Sequence, residues 1–348
     1  MTAFAYYRLP YLHHAHYVAQ LEGEPEVLSS VAELNGKEGF VIAPFSPSGD
    51  CPVLLIHPDE SKLLPISDAK VISTSDSTLG EDASDRDAYA GAFECFHQEL
   101  EKGTFRKIVL ARKATVRTAD KDFENLFMKA CRMYPRLFVS LVYTPQSGMW
   151  LMATPEILLK GEQGNMSTMS LAGTQKAEPS RTVADYPVEG VEWSHKNQEE
   201  QQYVTDYIED CIKAFADNYQ LKGPYTTMAA NLYHLRTDIS FRLRNEGRLG
   251  DVIDALYPTP AVCGIPKEEA RRFILQYEHQ PRKYYSGFVG PISPQGKTHL
   301  FVSLRCMNIL PDGVCELYAG GGLLKESEME KEWKETEAKM QTIRRVLL

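Results

Sequence analysis

The side chains best suited to chemistry are Glu328, Glu332, Glu335 and Lys339, near the C-terminus. Their spacing of four, three and four residues places all four on one face of an α-helix. Carboxylates this close repel one another unless a positive charge lies among them. The glycines at 320–322 lie just upstream and would let backbone amides approach an anion. The pattern predicts a divalent metal holding an acidic ligand; the alternative is a solvated charged face.

Two more ionisable residues lie among apolar neighbours. Lys107 begins the strand predicted over residues 107–113, in which either face would bury a cation. Desolvation lowers a lysine's pKa and would make Lys107 a base, unless it is an edge lysine that reaches solvent. Glu156 follows the apolar strand 150–153, where a dry site would raise its pKa and make it a proton donor. The alternative for Glu156 is a turn residue.

A third acidic position and an arginine extend this set. Glu200 lies one turn before Val204 on the apolar stripe of a helix predicted over about 198–215. If this helix meets the last one, Glu200, Glu332 and Glu335 form an oxygen-rich cage that suits Mg²⁺. Arg305, in a strand predicted over 298–310, suits a bidentate grip on a carboxylate or a salt bridge across the sheet.

Bulk properties exclude several classes of protein. The net charge of −9 argues against nucleic acid or an anionic membrane as the main partner. No apolar run is long enough to span a membrane, and the N-terminus does not resemble a signal peptide. Seven scattered cysteines without a C-x-x-C pair predict reduced thiols in a cytoplasmic protein.

The remaining pattern predicts an α+β fold, with a large, mainly antiparallel β-sheet core and surrounding helices. Short strands are expected at 39–44 and 51–56, and a loop at 73–85 precedes a helix at 87–102. Further strands are expected at 137–143, 149–153, 157–160, 225–230, 285–289 and 315–319. We divide the chain into a strand-rich portion, 1–85, packed on the same domain, and a catalytic region, 86–348.

From about Phe105 to the C-terminus the ordered motifs resemble the chorismate-utilising enzymes: isochorismate, salicylate, anthranilate and aminodeoxychorismate synthases. The motifs are KIVLAR at 107–112, TPE at 154–156, LAGT at 171–174, PTPA at 258–261, GIP at 264–266, YSG at 285–287, LRC at 304–306, AGGG at 319–322 and EWKETEAK at 332–339. The resemblance implies the fold of anthranilate synthase component I and chorismate as substrate. It places the catalytic region of 86–348 around a chorismate-binding site.

The resemblance also implies roles for individual residues. Lys107 corresponds to the base that activates water for attack at C2 of chorismate, and Glu156 to the acid that protonates the departing C4 hydroxyl. Glu200 and Glu335 correspond to Mg²⁺ ligands, with Glu332 as an outer helper. The implied substrate contacts are Gly173, Thr174, Ala261, Tyr285, Arg305, Gly320, Gly322 and Lys339.

Three positions indicate the subfamily. Lys107 suits members that add water, whereas the ammonia-using anthranilate enzymes carry glutamine there. Ala172 replaces the lysine of aminodeoxychorismate synthases, and Ala261 replaces the threonine usual in enzymes that expel pyruvate. We therefore predict an isochorismate synthase without a glutamine amidotransferase partner. The alternatives are a salicylate synthase and a non-catalytic chorismate-binding protein, and the pathway, menaquinone or siderophore, stays open.

The chain departs from the family pattern around Glu200. The usual Lys-Asp-x-x-Glu-His reads Lys196-Asn197-Gln198-Glu199-Glu200-Gln201 here, which lacks one acid and one histidine. Glu199 therefore competes with Glu200 for the ligand role. Two further substitutions are Gln175 for arginine after LAGT and Tyr257 for histidine before PTPA.

Overall fold

The structure, a computed structural model, describes residues 1–66, 83–118, 122–177, 187–229 and 232–348. Most of the loop predicted at 73–85 and the last residue of the strand predicted at 225–230 lie outside the described residues. The structure of the described residues contains 18 β-strands and six α-helices.

The strands follow one another mostly as antiparallel hairpins. They are β1 (Ala3–Arg8), β2 (His14–Gln20), β3 (Glu26–Leu28), β4 (Gly39–Ala43), β5 (Val53–Ile56), β6 (Glu60–Pro65), β7 (Lys107–Arg117), β8 (Phe138–Thr144), β9 (Gly148–Thr154), β10 (Ile157–Glu162), β11 (Asn165–Lys176), β12 (Ala216–Ala229), β13 (Leu232–Leu243), β14 (Gly264–Ile265), β15 (Phe288–Ile292), β16 (Lys297–Val302), β17 (Cys306–Ile309) and β18 (Val314–Leu323).

The helices are α1 (Ala83–Glu101), α2 (Phe123–Met133), α3 (His195–Lys213), α4 (Leu249–Leu256), α5 (Lys267–Tyr277) and α6 (Met329–Leu347). The Ser194 hydroxyl begins α3 by accepting a hydrogen bond from the backbone N–H of Asn197 at 3.3 Å. The predicted helices at 87–102 and 198–215 correspond to α1 and α3, which begin and end within four residues of those limits.

The predicted α+β class and the large, mainly antiparallel β-sheet core with surrounding helices are confirmed. The described strands form two nine-stranded sheets. The first has the order β14-β7-β18-β17-β9-β8-β1-β2-β6 and the second β12-β13-β11-β10-β16-β15-β4-β5-β3. The first six strands supply three strands to each sheet, so the N-terminal portion is hydrogen-bonded into both.

Apolar side chains from both sheets fill the space between them. This cluster includes Phe40, Phe138, Trp150 and Phe301, and the rings of Phe138 and Phe301 stack with centroids 4.1 Å apart. A second cluster joins the second sheet to α3 and α4, and a third joins the first sheet to α2 and α6. Helices α3 and α6 are therefore anchored to different sheets, and their N-terminal halves approach each other.

Three local predictions are wrong. The strand predicted at 298–310 is broken into β16 and β17, and Arg305 lies in the break with a φ of +48° rather than in mid-strand. Tyr285 precedes its strand, because β15 begins at Phe288. Glu328 lies before α6 in an extended conformation, and its exposed carboxylate pairs with Lys331. It does not share the helical face of Glu332, Glu335 and Lys339.

Candidate active site

Lys107 and Glu200 form a buried ion pair at the centre of the molecule. Lys107 is the first residue of β7 and is fully buried, and its Nζ lies 2.9 Å from Oε1 of Glu200 on α3. Burial opposes ionisation of Glu200. The positive charges of Lys107, Lys196 and Lys339 outweigh this effect and hold its pKa below the ordinary value. Glu200 is therefore a carboxylate at neutral pH, and it faces an amine.

Glu156 is a second buried carboxyl group with a different environment. It follows β9, which Thr154 ends, and its side chain is 3% exposed. Burial raises its pKa to about 7, although Lys107, Thr259, Lys339 and Arg305 partly oppose the shift. The Thr259 hydroxyl lies 3.4 Å from Oε1 of Glu156 and donates to it. Burial therefore favours the protonated form of Glu156 at and below neutral pH.

Two cations approach the same space. Arg305 is 5% exposed, and its Nη1 donates to the carbonyl of Ala229 at 3.1 Å. Burial lowers its pKa to about 10, so it remains charged at neutral pH. Lys339 on α6 donates to the carbonyl of Gly320 at 2.8 Å and pairs with Glu335 at 2.7 Å.

The glycine run on β18 exists because side chains would not fit there. A Cβ on Gly322 would lie 2.3 Å from Oε1 of Glu200 and 2.6 Å from Cε of Lys107. A Cβ on Gly320 would lie 2.9 Å from the hydroxyl of Tyr285, and one on Gly321 3.0 Å from Oε2 of Glu332. The three glycines therefore let α3, α6 and Tyr285 close over the strand.

The acids of α6 lie beside this centre. Glu332 is 2% exposed and pairs through Oε1 with Lys196, whereas its buried Oε2 has no hydrogen-bond partner among the described residues. Burial and then Glu335 raise the pKa of Glu332, and Lys196 opposes the shift. In the described part of the chain, no three His, Cys, Asp or Glu side chains lie together, as they stand, in an arrangement that could hold a metal ion.

Most of the predicted site residues line one cavity of about 70 Å³. It is lined by all of the predicted substrate contacts and by Glu156 and Glu200: Glu156, Gly173, Thr174, Glu200, Ala261, Tyr285, Arg305, Gly320, Gly322 and Lys339. Lys107 is not among the lining residues, but it contacts two of them, Glu200 and Gly322. Glu332 and Glu335 instead line a neighbouring open cavity that shares Thr174 with this one. The predicted cage of three glutamates is therefore divided between two cavities.

The structure adds residues that the sequence analysis missed. His234 on β13 and Tyr318 on β18 line the cavity, and Thr259 contacts Glu156. Thr259 belongs to the PTPA motif at 258–261, so the sequence could have indicated it as a site residue. His234 gave none, because no strand was predicted over 232–243.

Substitution of Gly322 by alanine is expected to lower kcat/KM for the substrate by about a hundredfold. The methyl group cannot be placed without moving Glu200 or Lys107, and a displacement of about 1 Å at a catalytic group is enough for such a loss. Steady-state kinetics measure it. The matched control is Gly91→Ala on α1, where a Cβ would meet nothing within 4 Å and activity should be unchanged. Normal kinetics for Gly322→Ala would show that the close approach is unimportant.

Comparison with known proteins identifies the family. The family model "Chorismate binding enzyme" matches residues 56–348. The putative isochorismate synthase MenF of Mycobacterium tuberculosis is 31% identical over 254 residues, which cover 69% of this chain and 67% of that protein. Isochorismate synthase MenF of Escherichia coli is 30% identical over 267 residues, 76% of this chain and 61% of its own length. The matches thus span about two thirds of these relatives or slightly less.

Solved structures agree in fold. The putative 2,3-dihydroxybenzoate-specific isochorismate synthase DhbC of Bacillus anthracis superposes with a TM-score of 0.80 at 21% identity, covering 99% of this chain and 95% of its own. Anthranilate synthase component I of Streptococcus pneumoniae gives a TM-score of 0.66 at 18% identity, covering 96% of this chain and 81% of its own. No described helix is long and apolar enough to cross a membrane. On the family match and the shared fold, this chain belongs to the chorismate-binding enzymes.

Proposed function

We propose that this chain is an isochorismate synthase, an isomerase that adds water at C2 of chorismate and removes the C4 hydroxyl. The observation that carries the proposal is the buried Glu156, a carboxylic acid with a pKa of about 7, in the same cavity as Glu200, which contacts the amine of Lys107. Hydroxide is a poor leaving group, so the reaction needs both a proton donor and a base. The names of the relatives support the same activity.

In this proposal the two groups divide the proton transfers. Lys107 accepts a proton from the attacking water, and Glu156 gives one to the departing C4 hydroxyl, which leaves as water. Glu156 suits the donor role because burial raises its pKa to about 7 and so favours its protonated form. The net result is one water gained and one lost, so the product is an isomer of the substrate.

Cations in the cavity account for recognition of the substrate. Chorismate is a dianion, whereas the protein carries a net charge of −9. Arg305 and Lys339 supply positive charge beside Tyr285 and Gly320, where we place the pyruvyl-enol carboxylate. Gly173, Thr174 and Ala261 line the remaining wall, where we place the ring.

We propose Mg²⁺ as the cofactor because the chemistry of the acidic donors fits it, although Glu200, Glu332 and Glu335 are not drawn together into a metal site as they stand. Oε2 of Glu332 is a buried oxygen without a hydrogen-bond partner in the described part of the chain, and Glu335 lies close enough to raise the pKa of Glu332. Gly321 has no side chain, which leaves room beside both acids. Glu200, Glu335 and Glu332 are the residues that would hold the ion, since hard cations prefer carboxylate oxygens. When bound, Mg²⁺ supplies positive charge to the ring carboxylate. In the structure each acid pairs with a lysine: Glu200 with Lys107, Glu332 with Lys196 and Glu335 with Lys339.

The proposal extends to the compartment, the partners and the pathway of the enzyme. All seven cysteines are free, which fits a reducing compartment, and we place the enzyme in the cytoplasm. Because water is the nucleophile, no glutamine amidotransferase is needed. Menaquinone and siderophore synthesis both remain open as the pathway served.

Product analysis tests the proposal. Purified protein incubated with chorismate and Mg²⁺ is expected to give isochorismate as the main product, identified by chromatography with mass spectrometry. The matched control omits Mg²⁺ and adds a chelator, and conversion should then stop. Salicylate as the main product would contradict the role given to Ala261, and binding without conversion would support a non-catalytic protein.

A further inference from the structure

His234 is a buried histidine whose two ring nitrogens have different partners. Its Nδ1 lies 2.8 Å from the carbonyl oxygen of Gly173, and its Nε2 lies 2.8 Å from Nη2 of Arg305. A carbonyl oxygen only accepts hydrogen bonds and a guanidinium nitrogen only donates them. Nδ1 must therefore carry the hydrogen and Nε2 must accept. A ring with one donor and one acceptor nitrogen is neutral.

The backbone of β11 is shaped to receive this histidine. The pairing of β11 with β13 shifts register between Ala172 and Gln175, and Gly173 within this bulge has a φ of +68°. The bulge removes the Gly173 carbonyl from the sheet ladder and lets it accept from His234. The N–H of Gly173 in turn donates to Oε2 of Glu200 at 3.3 Å. A continuous set of contacts thus joins Arg305, His234, Gly173 and Glu200.

Arg305 needs such a partner because of its position. It lies in the break between β16 and β17 with a positive φ, so no regular strand fixes its side chain. Its other guanidinium contacts are the Ala229 carbonyl and, at 3.5 Å, the Thr342 hydroxyl. All of its hydrogen-bond partners among the described residues are therefore neutral.

The neutrality of the partner has a functional consequence. A carboxylate partner would orient Arg305 but would cancel much of the charge available to an anionic ligand. A neutral imidazole orients the guanidinium and leaves that charge intact. Burial, and then the nearby cations Arg305 and Lys339, hold the pKa of His234 well below its ordinary value, which keeps it an acceptor.

We propose that His234 is a positioning residue, which holds the Arg305 guanidinium toward a carboxylate of the substrate through its Nε2 lone pair. This inference rests on the proposed function, which assigns a substrate carboxylate to Arg305. His234 itself transfers no proton in the reaction. Its effect is on binding, because Arg305 contacts the ligand in the ground state and the transition state alike.

Two conservative variants separate the contacts of His234. The amide of His234→Asn reaches the Nδ1 position and can donate to Gly173, but it is too short to accept from Arg305. The amide oxygen of His234→Gln reaches the Nε2 position and can accept from Arg305, but this variant loses the donor to Gly173. We expect His234→Asn to raise the KM for chorismate about tenfold to a hundredfold, with kcat changed by less than about threefold. His234→Gln should stay within about threefold of the wild-type KM.

A double variant tests whether the effect passes through Arg305. In an Arg305→Lys background, where the guanidinium is absent, His234→Asn should add no further rise in KM. Additive effects would overturn the proposal. So would a loss confined to kcat, or equal KM values for His234→Asn and the wild type. Wild-type protein that converts no chorismate would instead contradict the proposed function, and calorimetric Kd values for chorismate would then test positioning by the same comparison.

Discussion

Replacing Lys107 by alanine is expected to lower kcat by about a thousandfold, because the amine is the only base we assign to the attacking water. The change also leaves Glu200 buried without its 2.9 Å partner, so some thermal stability should be lost. Activity should therefore be measured well below the melting temperature, with circular dichroism to verify folding.

Lys107→Arg is the matched variant that separates charge from proton transfer. Arginine keeps the positive charge beside Glu200 but does not deprotonate in proteins, so it cannot act as a base. We expect Lys107→Arg to be nearly as inactive as Lys107→Ala, while Arg117→Ala, at the exposed end of the same strand, retains full activity. Substantial turnover by Lys107→Arg would mean that the residue supplies only charge.

Motif residues that are distant in the chain lie together in the structure because the two sheets and their flanking helices meet around one cavity. Glu156, Gly173 and Arg305 are far apart in the chain but line one cavity. Their catalytic and binding roles, and the division of the chain at residue 85, stay predictions. The number of sheets could not be predicted from the sequence, because hairpin spacing does not show which hairpins pair with each other.

Where the sequence analysis failed, non-local contacts decide the structure. The apolar residues Phe301, Val302 and Leu304 predict one continuous strand, yet the backbone of Ser303 pairs with Gly287 and Arg305 adopts a positive φ. The prediction of an acidic cage did not include Lys196, which pairs with Glu332 from helix α3. Ion-pair partners on distant elements leave no trace in local spacing.

Glu156→Gln is expected to lower kcat about a hundredfold or more while stabilising the protein at alkaline pH. As a proton donor, Glu156 must be protonated, so wild-type activity should fall as pH rises through about 7. Glutamine has the same shape and no proton to give.

The same shift fixes the sign of the effect on stability. The pKa of Glu156 rises from 4.5 to about 7 on folding, so its protonated form stabilises the folded state. That contribution is complete below about pH 4.5 and is lost as pH rises through about 7, a difference of about 3 kcal/mol. The free energy of unfolding of Glu156→Gln relative to wild type should therefore increase between pH 5 and pH 8.

The control is Glu162→Gln, which removes the same charge from an exposed residue at the end of β10. It should alter neither kcat nor the pH dependence of stability. Denaturant unfolding at both pH values, with pH–rate profiles, gives the two readouts independently. If Glu156→Gln loses activity without the pH-dependent gain in stability, the carboxyl group is ionised in the folded protein and acts as a negative charge. If it gains stability and keeps activity, the proton donor is a different group. Only the combination of lost turnover and alkaline stabilisation fits a buried, neutral acid that the fold maintains for catalysis at the expense of its own stability.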